Sequence, residues 1–158
     1  LISQGINANV VRLAMSVHGN ERYGLVSLLI QQAKKNKFVS YFGNGDNYWN
    51  AVNVNDVADL FISALNYTQS PKHSLHVFNA VAEGKLPTKK IAETISNKLN
   101  LPLKQQPSLE FHNNEINQIF MVDKSFAGNF PVSNELTKSK LNWHPKGTGL
   151  LENLKISL

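Results

Sequence analysis

The sequence predicts an α/β fold with a largely parallel sheet, and three observations carry that expectation. Short apolar runs alternate with helical patterns through the first part of the chain, as βαβ units require. Residues 10–15 (VVRLAM) are almost unbroken in their hydrophobicity, which suits a strand covered on both faces. Residues 43–65 (GNGDNYWNAVNVNDVADLFISAL) read as a turn, a strand and a helix in succession. The 158 residues are enough for one domain with a buried core, and 42% hydrophobic against 17% charged residues argue against disorder.

In order, residues 1–9 read as a helix end and a turn, with Gly5 just past the helix, where a left-handed residue is favoured. The strand over 10–15 is closed by Val17-His18-Gly19, and a polar loop covers 20–22. From Tyr23 to Lys35 the period is helical, with Leu25, Leu28 and Leu29 on one stripe and Val26, Ile30 and Ala33 beside it. The lysines at its end complement the helix dipole. Phe38 to Phe42 is a second strand, and Gly43 to Asn47 are turn formers. Tyr48 to Val54 places polar residues between aromatic and β-branched ones, as a half-buried strand does. Asn55 or Asp56 is expected to cap the next helix, whose apolar face is Val57, Leu60, Phe61, Ala64 and Leu65.

After a loop over 69–73, residues 75–81 (LHVFNAV) make a third strand. Pro87 and Thr88 open a helix with the stripe Ile91, Ile95 and Leu99, stopped by Pro102. The remainder predicts a helix within 108–122, a short helix over 133–141, an extended Trp143-His144-Pro145 and a terminal helix over 150–154.

The totals narrow the function classes. No cysteine is present, so disulfides and thiolate chemistry are excluded. Apolar runs are only a few residues long and no secretory pattern is seen, so no membrane partner is expected and a cytoplasmic location is. The net charge of +5 is spread in pairs such as Lys34-Lys35 and Lys89-Lys90, without a basic stripe interleaved with aromatics. Solvated helix faces explain it, and no nucleic-acid partner is expected.

Several motifs recur in a fixed order. Trp49-x-Ala51-Val52-x-Val54-x-Asp56-Val57-Ala58-x-Leu60 resembles a signature of the extended short-chain dehydrogenases, the NAD-dependent epimerase/dehydratase superfamily. Residues 9–13 followed by Ser16-Val17-His18-Gly19 are similar to the segment after that family's catalytic helix. Tyr41-x-Gly43-x-Gly45, Glu83-Gly84-x-x-Pro87 and Leu141-Asn142-Trp143-x-Pro145 before Gly149-Leu150-Leu151 extend the likeness over nearly the whole chain. Within the family the chain most resembles uncharacterised NAD(P)-dependent oxidoreductases of fungi and bacteria. Two departures stand out: Asn53 replaces the family's histidine, and Ala14 its proline.

The resemblance implies the C-terminal part of a Rossmann-like parallel sheet with a small α/β substrate-binding lobe, the whole of 1–158 forming one such portion. It implies NAD or NADP as cofactor, passing beside Ala14, Met15, Ser16 and Val17. It implies a small-molecule substrate, with His18, Tyr48, Trp49 and Asn53 on the substrate side. Trp49 either lines the pocket or packs as an aromatic anchor. The family's glycine-rich phosphate loop is absent from these residues, since Gly43-x-Gly45 lacks a third glycine and precedes a strand. Its Tyr-x-x-x-Lys pair is absent too, because Ser27, Gly45, Val52 and Pro71 stand four positions after the tyrosines. No catalytic residue is therefore assigned. The chain, which opens mid-pattern at Leu1, is expected to be a fragment that needs an N-terminal Rossmann half and is inactive alone. The alternative is a truncated, non-enzymatic relic or binding module of the same fold.

Other chemistries have plainer explanations. His73-x-x-His76 lacks further metal ligands nearby and reads as a surface pair. No nucleophile elbow surrounds Ser16. Asp56 and Asp59 serve the helix start. Arg12, charged within an apolar strand, is expected to meet a structural ion-pair or hydrogen-bond partner. The strand over 10–15 is expected to lack neighbours and to leave an unpaired edge.

Overall fold

The computed structural model describes residues 8–19, 24–67, 75–107 and 125–157. In chain order these hold β1 (Ala8–Leu13), β2 (Ser16–His18), α1 (Leu25–Asn36), β3 (Val39–Phe42), β4 (Tyr48–Asn53) and α2 (Val54–Asn66). Then come β5 (Leu75–Ala80), β6 (Glu83–Pro87), α3 (Thr88–Leu99), β7 (Leu103–Gln106), α4 (Glu135–Leu141) and α5 (Leu150–Ser157). β1 pairs with β5, β2 with β4 and β3 with β7, all in parallel, while β6 joins β4 antiparallel. The α/β class with dominant parallel pairing is therefore present. The loop over 69–73, the helix within 108–122 and Gly5 lie outside the described residues.

β4 divides the molecule into two packed regions. Trp49 and Ala51 point into a core shared with α1, α3 and α5, where Val26, Ile91, Ile95 and Leu150 are buried. Val52 points the other way, into a core of Val57, Leu60, Phe78, Ala80 and Trp143 between α2 and the β1–β5 pair. Both faces of β4 are thus covered, and the strand is not half-buried as its alternation suggested. Its polar residues Asn50 and Asn53 are buried as well, and their amides are engaged in hydrogen bonds.

Several boundaries move for visible reasons. β1 already includes Ala8 and Asn9 instead of a turn, and the Asn9 amide donates to the Ala64 carbonyl (2.7 Å) at the end of α2. It stops at Leu13, because the Met15 N–H donates to Asn50 Oδ1 (2.8 Å). Ser16–His18 then forms a separate strand, β2, beside β4. β1 does have a neighbour, contrary to expectation: all six of its residues are in register with β5. Its second edge carries no strand among the described residues.

In α1 the buried stripe is Val26, Ile30 and Ala33, whereas Leu28 is exposed. In α2 only Val57, Leu60 and Ala64 of the anticipated face are buried, since a two-stranded sheet covers a narrow stripe; Phe61 (45%) and Leu65 (81%) are exposed. The cap of α2 is neither Asn55 nor Asp56 but Asn53, whose side-chain oxygen accepts the Asn55 N–H at 3.0 Å. Asn53→Ala is expected to cost about 1 kcal/mol, read as a lower midpoint of urea unfolding; an unchanged midpoint would show that the cap is dispensable. Among the described residues no helix is long and apolar enough to cross a membrane.

Candidate functional site

Parallel strands present their carboxyl ends together, and here those of β1 and β5 border a cavity of about 450 Å3. That is a volume suited to a small molecule. Leu13 and Met15 line it from the exit of β1, Asn79 and Val81 from that of β5, and Phe130 from the segment laid across them.

A bulge and a buried amide hold this segment in place. Between Trp49 and Ala51 of β4 there is one residue, Asn50, while two residues stand between their partners Leu86 and Glu83. Asn50 accepts from Met15 N–H through its oxygen and donates to the Phe130 carbonyl through its nitrogen (2.7 Å). On the bulged strand the Gly84 carbonyl accepts the Val132 N–H (3.0 Å), and a Cβ on Gly84 would overlap the Val132 carbonyl. Asn79 completes the brace by donating to the Ser133 carbonyl at 2.9 Å. The sequence offers one signal for Asn50, an amide between Trp49 and Ala51 within a strand.

Of the residues expected beside cofactor and substrate, Met15 alone lines the cavity. Ala14 and Ser16 are buried, Val17 is half-buried, and Ser16 and Val17 pair in β2 with Ala51 and Val52. Trp49 is fully buried, edge-on to Phe126 with centroids 5.1 Å apart, and its indole N–H donates to the Ser125 carbonyl (2.7 Å). Tyr48 is half-buried at the start of β4, and its backbone exchanges hydrogen bonds with Asn129 and Phe130. Asn53 caps α2. His18 lies opposite Asn53 in the ladder and is buried.

His18 is nevertheless chemically distinctive. Both ring nitrogens are buried without a hydrogen-bond partner, and Nε2 lies 3.9 Å from Glu83 Oε2. Glu83 is already committed, accepting the Leu150 N–H at the start of α5 (2.8 Å). Burial holds the His18 pKa below the ordinary value of 6.5, and the Asp56 carboxylate opposes that shift in part. The folded chain therefore binds a proton less readily than the unfolded chain. Stability from this source is complete above pH 6.5 and falls as the pH drops below it, until the folded form is protonated too. Thermal melts from pH 7.5 to 5 are expected to show this loss, and His18→Gln is expected to flatten it. Equal slopes in the two proteins would mean that another group titrates.

Arg12 also differs from expectation. It is exposed on β1 and borders the cavity, and among the described residues it makes no ion pair or side-chain hydrogen bond. Asp56 has a larger role than starting a helix, since its carboxylate accepts the N–H groups of Lys146 (2.8 Å) and Gly147 (3.0 Å). His73 lies outside the described residues, and among those described no three His, Cys, Asp or Glu side chains converge on a metal site. The glycine turn does not fit a pyrophosphate: a Cβ on Gly45 would come 2.7 Å from the Cβ of Lys89, so packed side chains fill the space beside it.

Comparison with known proteins gives the fold its context. The chain is 34% identical over 154 residues to an uncharacterised protein of Schizosaccharomyces pombe, covering 96% of this chain and 49% of that protein. An uncharacterised protein of Saccharomyces cerevisiae is matched at 34% identity over 96% of this chain and 48% of the relative. The chain thus spans about half the length of these relatives. Among solved structures it superposes on a dTDP-glucose 4,6-dehydratase from Streptomyces venezuelae with a TM-score of 0.67 and 11% identity, covering 98% of this chain and 44% of that one. A UDP-glucose 4-epimerase from Thermotoga maritima gives 0.65 at 20% identity, covering 97% and 45%. No family model matches. The likeness is one of fold: this chain reproduces part of the Rossmann-like architecture of NAD-dependent dehydratases and epimerases.

Proposed function

We propose that this chain is the substrate-binding, C-terminal portion of an NAD(P)-dependent oxidoreductase or epimerase. The observation that carries the reading is the cavity at the carboxyl ends of β1 and β5, where open α/β sheets bind their ligands. The fold supports it, because the Streptomyces dehydratase with that architecture was solved with NAD bound. Among the described residues no glycine turn cradles the cofactor's pyrophosphate, so their contribution is a wall formed by Leu13, Met15 and Phe130. Hydride chemistry belongs to the cofactor, and these residues orient the bound molecule and exclude water.

The cofactor loop and the proton-transfer pair would come from an N-terminal Rossmann half. The second edge of β1 is where its sheet would continue, since a two-stranded parallel sheet is marginal by itself. Phe61, Ile62 and Leu65 on α2 form an outward apolar stripe that such a half would cover. The test begins with the intact mass of the native gene product, followed by titration with NADH and NADPH. Enhanced nicotinamide fluorescence with micromolar affinity is expected. A native product that binds neither cofactor would overturn the reading.

A further inference from the structure

We propose that Arg12 is the anion-recognising residue of the cavity, and that its ligand is a small amphipathic molecule bearing a carboxylate or phosphate. The proposal deepens the function given above by naming the class of substrate, and it rests on that reading for the cavity's role.

Charge and hydrogen-bonding capacity point the same way. Among the described residues that line the cavity Arg12 is the sole charged side chain, and none of them is an acid that offsets it. The amides of Asn50 and Asn79 already brace the 130–133 segment. Arg12 is exposed to solvent on β1, and its five N–H donors meet no acceptor on the described residues, so they are free to exchange water for a ligand. A guanidinium in this state is matched by a planar or tetrahedral oxyanion, which it binds with two parallel hydrogen bonds. The rest of the lining is largely apolar, with Leu13, Met15, Val81 and Phe130 forming walls for a hydrocarbon or aromatic body. Arg12 stands directly across the ladder from Asn79, so an anion held by it would lie beside the β1–β5 pair.

The test uses the native gene product that contains this chain. Benzoate and phenyl phosphate are the probes, with benzamide as the neutral isostere. Reaction of Arg12 with phenylglyoxal is followed by peptide mass spectrometry, and Arg22 provides an internal reference. Arg12 is expected to react in the free protein and to be protected by benzoate or phenyl phosphate but not by benzamide. Which of the two protects at lower concentration distinguishes a carboxylate from a phosphate ligand. By calorimetry, Arg12→Gln is expected to weaken the better probe roughly tenfold or more, with Arg12→Lys between the two. Three results would overturn the proposal: an Arg12 that is unreactive without ligand, because a protein acid then holds it; equal protection by benzamide; or unchanged affinity in Arg12→Gln. Protection is measured without cofactor, so a protein that binds the probes but not NADH would sink the oxidoreductase reading and leave the anion site standing.

Discussion

Replacing Trp49 by alanine is expected to leave little folded protein at 37 °C. Its side chain is fully buried in the core shared by α1, α3 and α5, and its ring meets the edge of Phe126. The indole N–H also ties β4 to the Ser125 carbonyl, 76 residues further on. Loss of the ring removes its transfer free energy and leaves a cavity, together about 3–5 kcal/mol. Small domains have only about 5–15 kcal/mol in all, and a β1 edge without a strand among the described residues argues for the lower end. Trp49→Phe keeps most of the apolar surface and is expected to cost about 1–2 kcal/mol. Urea unfolding followed by circular dichroism separates the cases. An alanine variant within 1 kcal/mol of the parent would show that the core collapses around the gap and that Trp49 is not its anchor.

The sequence revealed those parts of the fold in which local pattern and packing agree. β3, β5, α3 and α4 fall close to their predicted places because their apolar spacing is also their buried spacing, as with Ile91 and Ile95. Three strands were not anticipated. β6 (EGKLP) and β7 (LKQQ) contain no β-branched residue and take their strand character from partners distant in sequence. β2 is three residues long, too short to show a period.

The site was less legible for a related reason. Cavity-lining residues such as Asn50, Asn79 and Phe130 are brought together by a bulge and by amide-to-carbonyl bonds across some fifty to eighty positions, which no local spacing encodes. Conversely, Trp49 and His18 occupy conspicuous motif positions yet are buried and do not line the cavity.

Asp56→Ala is expected to cost about 2–4 kcal/mol and to release the C-terminal loop. The carboxylate sits in the first turn of α2, where it complements the helix dipole for about 0.3–1 kcal/mol. It also accepts the Lys146 and Gly147 N–H groups, and hydrogen bonds to a charged acceptor contribute about 1.5–3 kcal/mol. Beside them the Trp143 indole donates to the Asp56 carbonyl (3.0 Å), an attachment that the alanine variant retains. The loop should therefore loosen at 146–147 while Trp143 stays packed. Amide exchange is expected to accelerate at Lys146 and Gly147 and to remain slow at the Trp143 indole; uniform acceleration would mean that α2 itself had unfolded. The variant has a second, independent signature. Asp56 is the charge that partly sustains the His18 pKa against burial. Without it that pKa falls further below the unfolded value, so the folded state binds still fewer protons in mild acid. Stability should then decline over a wider span as the pH is lowered from 6.5 than it does in the parent. Parallel pH profiles for parent and variant would show that Asp56 and His18 are not coupled, although both are buried beside Asn53.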